Sequence, residues 1–353
     1  MTEPETAVSV SSRMRRRLLL IVTLGAAGIA VMILLSLCCG TQNYSIQQVV
    51  GSLSNIWENG VTEGIDRTVF NLRLPRVLAA IAVGAGLSVA GIVFQAIVRN
   101  PLVDPYMTGV SSGAGLGAAI FMVFLAGAVT SGTYFGTPIF AFVFSVIAFG
   151  LTFTISKVSG NSNVSFVLAG VISAMGFSAI TTIIMLTNED KTQGILGFLY
   201  GSFSSISWNT ATIIVVCVLV SSAVFMVLSR TFNVVLLGRE QSMELGVNYD
   251  RFRLLTMLLA SFLTSICVAF VGIISFVGLI VPHLARMMLG GDHRLLFPSS
   301  MVMGGLLLAS ADLLIKEIIN VWGTTIPVGA LTTLIGIPFF IMILKRRGKG
   351  YGQ

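Results

Sequence analysis

Residues 237–250, LGREQSMELGVNYD, form a polar segment within a chain that is otherwise strongly apolar. Apolar runs lie on both sides of it, at residues 210–229 and 254–289. Runs of this length and composition are typical of segments that span a lipid bilayer. A short polar helix between two membrane spans needs something in water to contact. The segment therefore predicts a contact between the chain and a separate protein at the membrane surface.

The composition excludes a soluble fold. The 353 residues are 55% hydrophobic and 10% charged, whereas soluble domains carry about 25% charged residues. The four cysteines lie in or beside apolar runs without the spacing of a disulfide framework or metal site, and we interpret them as packing residues. The chain also lacks GxxxxGK[ST], HExxH and CxxC motifs. We therefore predict an all-α polytopic membrane protein that is not an enzyme, with no cofactor or metal of its own and no nucleic-acid partner.

Ten apolar runs predict ten transmembrane helices. A single helix over 254–289 would reach about 54 Å, well beyond the hydrocarbon core, so Gly272 and Ser275 are predicted to break it into two spans. The runs are 18–38, 74–98, 107–128, 137–156, 164–186, 210–229, 254–271, 273–289, 299–318 and 328–344.

The distribution of basic residues predicts the orientation. With ten spans, most of the 21 Lys and Arg residues lie on one side, together with both termini and residues 237–250. The positive-inside rule makes that side cytoplasmic, in a multi-pass protein of the cytoplasmic (inner) membrane. The first run is too long for the apolar region of a signal peptide. Residues 1–17 are then a cytoplasmic tail, with the first dozen residues expected to be disordered.

The scarcity of buried acids bears on the energy source. The acidic residues in the apolar runs are Asp312 and, near the outer end of the same run, Glu317. Carriers driven by protons or sodium usually need several ionisable groups at mid-membrane. Energy must then come from a separate motor that acts on residues 237–250. The alternatives are a secondary transporter or channel acting alone, and a membrane enzyme. Asp312 and Lys316 are four apart and can pair, or Lys316 can dock a partner.

Two further segments lie at the expected mouths of a pore. Arg73 and Arg76 are three residues apart at a predicted helix start, where they either meet an external anionic partner or anchor the helix at the interface. On the inner side, residues 99–105, RNPLVDP, contain two prolines and predict a stiff, non-helical corner. Asn163 and Val164 begin the fifth span at the same membrane level.

Four blocks of the chain, in order, closely resemble the FecCD-type permeases of ABC importers for iron–siderophore, haem and cobalamin. The resemblance covers nearly the whole chain and is specific for the family but weak for the substrate. The blocks are RLPRVLAAIAVGAGLSVAGIVFQAIVRNPLVDPYMTGVSSGAGLGA at 73–118, LGREQSMELGV at 237–247, ISFVGLIVPHLARMMLGGDHR at 274–294 and PVGALTTLIGIPFF at 327–340.

The resemblance implies the type II ABC importer permease fold, as one transmembrane domain over residues 1–353. It implies a homodimer around one central pathway, with pairing to a related permease left open. Two ATPase subunits carrying ATP and Mg dock inside, and a substrate-binding protein docks outside. An Fe(III)–siderophore is the commonest cargo of the family, with haem and cobalamin as alternatives.

Site residues carried over from the resemblance fall into three groups. Lys316 stands where the cobalamin importers of the family have an Arg. Lysine keeps the positive charge at this position but cannot bind a carboxylate through two parallel hydrogen bonds as arginine does. The residues that match the family's coupling helix, which enters a groove on the ATPase, are Gly238, Glu240, Met243, Glu244, Leu245 and Gly246. The residues that would dock the binding protein are Arg73, Arg76 and Lys316. The cytoplasmic gate corresponds to Asn100, Leu102, Asn163 and Val164.

Overall fold

The computed structural model describes residues 7–127, 135–322 and 326–348, and these residues form helices joined by short loops. The helices are α1 Ala7–Cys38, α2 Ile46–Asn59, α3 Ile65–Val98, α4 Val110–Leu125, α5 Gly136–Val158, α6 Asn163–Thr187, α7 Glu189–Leu199, α8 Trp208–Val227, α9 Ser229–Val235, α10 Arg239–Glu244, α11 Tyr249–Val271, α12 Val277–Leu289, α13 His293–Trp322 and α14 Val328–Gly348.

Each of the ten apolar runs coincides with one of these helices. Among the described residues, α1, α3, α5, α6, α8 and α11 are long and apolar enough to cross a membrane, while α4, α12 and α14 contain shorter apolar stretches. The chain is therefore a helical, multi-pass protein by length and composition. The number of crossings, ten, stays a prediction.

Helix α3 is the centre of the bundle and α1 lies at its periphery. In the most apolar 18-residue stretch of each helix, 89% of the residues are buried in α3 and 6% in α1. Small side chains allow the neighbours of α3 to approach closely: a Cβ added to Gly84 would lie 2.1 Å from the carbonyl oxygen of Gly304 in α13. Ser88 donates a hydrogen bond to the Gly84 carbonyl, 2.7 Å away. Small residues at this contact therefore allow the two helices to pack closely.

The predicted break inside 254–289 is confirmed. Helix α11 ends at Val271 and α12 begins at Val277. Gly272 has φ +76°, a conformation that glycine adopts without steric cost, and Phe276 also has a positive φ of 70°. The Ile273 amide donates to the Phe198 carbonyl at 3.3 Å, so the break is held against the end of α7.

Hydrogen bonds and other contacts between helix ends sort most of the connections into two groups. One group, which we call the Gly238 end, contains residues 98–105, 157–163, 229–253 and 289–294. The other, which we call the Arg73 end, contains residues 36–76, 188–208 and 312–322.

Two sequence-based expectations are wrong. Arg73 and Arg76 are not at a helix start, because α3 begins at Ile65 and continues through a π-helical turn at Thr68–Arg73. Proline is common in the first turn of a helix, and Pro75 therefore fitted a helix start. Instead, the Leu74 amide donates to the carbonyl of Val69, five residues earlier, and this π-helical turn continues directly into the segment that contains Pro75. The expected disorder of the first dozen residues is also wrong from Ala7 onward, since α1 starts there.

Candidate functional site

The segment 237–250 forms a short helix held between two glycines. Helix α10, Arg239–Glu244, follows Gly238 with φ +128° and precedes Gly246 with φ +81°. The Gly246 amide donates to the Met243 carbonyl at 3.0 Å and closes the helix. Both glycines adopt backbone conformations that other residues rarely adopt, so the boundaries of α10 are set by the glycines.

The outward face of α10 is exposed and its inner face is anchored. Met243 and Leu245 are 51% and 61% exposed, and Glu240 and Glu244 are exposed beside them. Ser242 is fully buried and its hydroxyl donates to the Val234 carbonyl at 3.2 Å. Five of the six residues predicted for coupling are thus exposed around a buried base, and the sixth, Gly238, is half-buried.

A salt bridge closes the base of this segment. The Arg239 guanidinium donates to the Asp250 carboxylate at 2.7 Å, across the α10 turn. Since both side chains are more than half exposed, this pair contributes little to stability by itself. It joins the beginning of α10 to the beginning of α11.

Beneath α10, helix α9 is tied to the loop between α12 and α13. Asn233 donates to the Asp292 carboxylate at 2.9 Å and accepts from the His293 amide at 3.0 Å. Burial raises the pKa of Asp292, but hydrogen bonds from Arg294 and Asn233 outweigh it and hold the pKa at about 2. Sequence reasoning missed this link, because no motif connects Asn233 with residues about sixty positions away.

The predicted gate residues lie together at the Gly238 end. Asn163 donates to the Val98 carbonyl at 3.0 Å, which joins the start of α6 to the end of α3. Asn100 accepts from the Leu102 amide at 3.0 Å and stiffens the proline-containing corner. Val164 is 77% exposed and points away from the chain's own core. Their role as a gate stays a prediction.

Arg73 is buried at the other end of the bundle. Its guanidinium donates to the carbonyls of Leu37 at 2.6 Å and Cys38 at 3.1 Å, and also to that of Gln42. It lies over the Tyr44 ring, 4.6 Å from the centroid. These contacts fasten the link between α1 and α2 to α3.

Arg76 and Lys316 share one carboxylate. Arg76 binds Asp312 through Nε at 3.0 Å and Nη2 at 2.7 Å, and Lys316 Nζ lies 3.6 Å from the same side chain. The predicted Asp312–Lys316 pair is confirmed, and the nearer partner, Arg76, was missed. Lys316 also donates to Ser36 of α1 at 2.8 Å. A carboxylate from a docking partner would compete with Asp312, and docking itself stays a prediction.

Cavities lie on both sides of the break between α11 and α12. A cavity of about 680 Å³ near the Arg73 end includes Phe270, Val271 and Val328 in its lining. A second, of about 570 Å³, lies against Ser275 and Phe276 on the other side. Both linings are largely apolar, and their charged members are Arg76 in the first and Asp104 in the second. This arrangement suits passage of a bulky solute that is not tightly held.

A multi-pass helical chain with a projecting polar helix at one end and solute-sized cavities beside a helix break has the architecture of a membrane permease. The FecCD transport family model matches residues 28–346. The chain belongs to the FecCD transport family, whose members are permeases of ABC transporters.

Relatives with this fold differ in their named cargo. The chain is 36% identical over 289 residues to a cobalamin import system permease of Halobacterium salinarum, covering 82% of this chain and 76% of that one. It is 31% identical over 321 residues to a hemin transport system permease of Yersinia pestis, covering 91% and 95%. A solved structure described as an inward-facing metal-chelate type ABC transporter matches with a TM-score of 0.80 and 29% identity, covering 92% and 99%.

Proposed function

We propose that the chain is the transmembrane subunit of an ABC importer that moves an iron chelate, an Fe(III)–siderophore, across the cytoplasmic membrane. Separate ATPase subunits hydrolyse ATP on the side of the Gly238 end, and a substrate-binding protein delivers cargo at the Arg73 end. The observation that carries the proposal is α10, because a short rigid helix with exposed Met243 and Leu245 and a buried base suits a groove on a partner.

The proposed mechanism transmits movement of α10 into the bundle. Closure of the ATPases displaces α10, and the Asn233–Asp292 contact passes the displacement to the start of α13 and the end of α12. Helix α12 begins at the break after Gly272, so its movement changes which of the two cavities is open. Cargo then passes from one cavity to the other without a fixed charge holding it at the break.

The iron chelate is proposed as cargo for two reasons. The solved relative is described as a metal-chelate type transporter, and the largely apolar cavities suit a bulky, weakly held complex. Haem and cobalamin are the alternatives, since relatives are named for each.

The test reconstitutes the chain in liposomes with its ATPase and binding protein and offers a ferric hydroxamate chelate, haem and cyanocobalamin in parallel. We expect ATP-dependent accumulation of the ferric chelate and none when the ATPase is omitted. Accumulation without the ATPase would favour a secondary transporter instead. Accumulation of haem or cobalamin alone would retain the importer and reject the siderophore. The ligand that co-purifies with the binding protein gives an independent identification.

A homodimer would bring Val164 against its counterpart in a second copy. Val164 is exposed at the start of α6, as a residue that closes a two-fold gate would be in a single chain. In a background without native cysteines, we expect Val164→Cys to yield a disulfide-linked dimer under mild oxidation, because a disulfide requires Cα atoms within about 7 Å. Gel electrophoresis without reductant measures it.

Val158→Cys is the matched control for this prediction. Val158 is 84% exposed at the same end of the bundle, on α5. Equal cross-linking at both positions would indicate random collision and contradict a gate at Val164.

A further inference from the structure

Helix α2 carries a row of large apolar side chains on its surface. Ile46, Val50, Leu53 and Trp57 are exposed by 59%, 51%, 37% and 92%. They are spaced by four, three and four residues, so they lie on one face of the helix. Scattered apolar side chains are ordinary on a protein surface, but a continuous row ending in tryptophan indicates a partner.

The row has a defined position around the helix. A helix turns by about 100° per residue. Val49 and Ser52 are buried against the bundle, and the row lies beside this buried face. The polar face lies on the far side of the row and contains Gln47, Gly51, Ser54, Asn55 and Glu58. Helix α2 therefore has one side packed on the protein, one exposed apolar side and one polar side.

Helix α2 packs against the end of α1, whose surface is largely exposed. Val49 packs with Leu37 and Cys38 at the end of α1. Helix α1 is peripheral, and along its length it exposes apolar side chains such as Leu24 and Val31, by 71% and 55%. In a multi-pass membrane protein such a helix faces lipid. The row on α2 therefore lies just past the point where α1 ends.

We propose that α2 lies in the plane of the membrane surface at the Arg73 end, with Ile46, Val50, Leu53 and Trp57 in the boundary between lipid headgroups and acyl chains. Amphipathic helices of this kind insert their apolar face by about 5–10 Å, and tryptophan is enriched at this depth. The capping box of Ser45 and Gln48 fixes the start of the helix. Since Arg73 donates to carbonyls of the link between α1 and α2, the lipid contact also fixes the position of that link at the Arg73 end.

The fluorescence of Trp57 tests this proposal in the full chain. The chain has three tryptophans, so Trp208→Phe with Trp322→Phe leaves Trp57 as the sole indole. The protein is placed in phosphatidylcholine nanodiscs whose lipids carry bromine in the upper acyl chain, and aqueous iodide is added separately. We expect brominated lipid to remove most of the Trp57 emission and iodide to remove little.

A matched control moves the indole to the polar face. In the same background, Trp57→Phe with Glu58→Trp rotates the indole by about 100°. We expect this indole to be quenched by iodide and spared by brominated lipid. Should the tryptophan-depleted chain fail to fold, the difference in emission between the native chain and Trp57→Phe alone gives the same comparison.

Two outcomes would overturn the proposal. Strong quenching of Trp57 by iodide would place the row in water. Protection of Trp57 from both quenchers would place the row against a protein, such as a second copy of the chain. Both results are independent of the transported cargo and of the role of α10.

Discussion

Gly246→Pro is expected to abolish ATP-dependent uptake while leaving the protein inserted in the membrane. Gly246 has φ +81°, whereas proline is fixed near −65° and lacks the amide that now donates to Met243. The helix end must therefore rearrange, and the exposed residues of α10 lose their position relative to the base. We expect uptake in the reconstituted system to fall at least tenfold, a factor that corresponds to about 1.4 kcal/mol in the barrier.

Gly246→Asn is the matched control for this change. A Cβ added at position 246 meets no atom within 4 Å in the described structure, so a side chain there starts in open space. Asparagine tolerates positive φ better than other non-glycine residues and keeps its amide. We expect Gly246→Asn to retain most of the uptake. Normal uptake by Gly246→Pro, with insertion confirmed, would show that the geometry of α10 is not needed for coupling.

Local patterns in the sequence were sufficient for the main architecture. The long apolar runs predicted the helices because no soluble fold hides so much apolar surface, and Gly272 predicted the break because glycine adopts positive φ. Helix α2 could also have been predicted, since Ser45 and Gln48 have the spacing of a capping box. The glycines at 238 and 246 marked both limits of α10.

Long-range partners could not be predicted. Arg73 is satisfied by backbone carbonyls of the α1–α2 link, and carbonyls carry no sequence signal. Arg76 binds Asp312, which is 236 residues away in the sequence, whereas the four-residue spacing indicated only the local pair of Asp312 with Lys316. From the sequence, both arginines were expected either to meet an external partner or to anchor the helix at the interface, whereas each has an internal partner.

Asp312→Asn is expected to destabilise the protein strongly. Asp312 is 1% exposed and holds Arg76 and Lys316, and Lys316 is itself buried. Asparagine keeps the shape of the side chain but removes the negative charge that both cations share. Breaking a buried ion pair by removing one partner typically costs about 3–5 kcal/mol, because the remaining charge is left uncompensated. Thermal unfolding of the detergent-solubilised protein measures the loss as a lower midpoint.

A double-mutant cycle separates this charge effect from a general loss of packing. Arg76→Gln combined with Asp312→Asn removes one of the stranded cations, so the double variant should lose less stability than the sum of the two single variants. Asp190→Asn provides the exposed control, since Asp190 lies 3.6 Å from Lys191 with both side chains more than half exposed, and little change is expected there. Strict additivity in the Arg76–Asp312 cycle would mean that the contact is not a stabilising ion pair. Arg76 would then be free to leave Asp312 at little cost and bind an acidic docking partner.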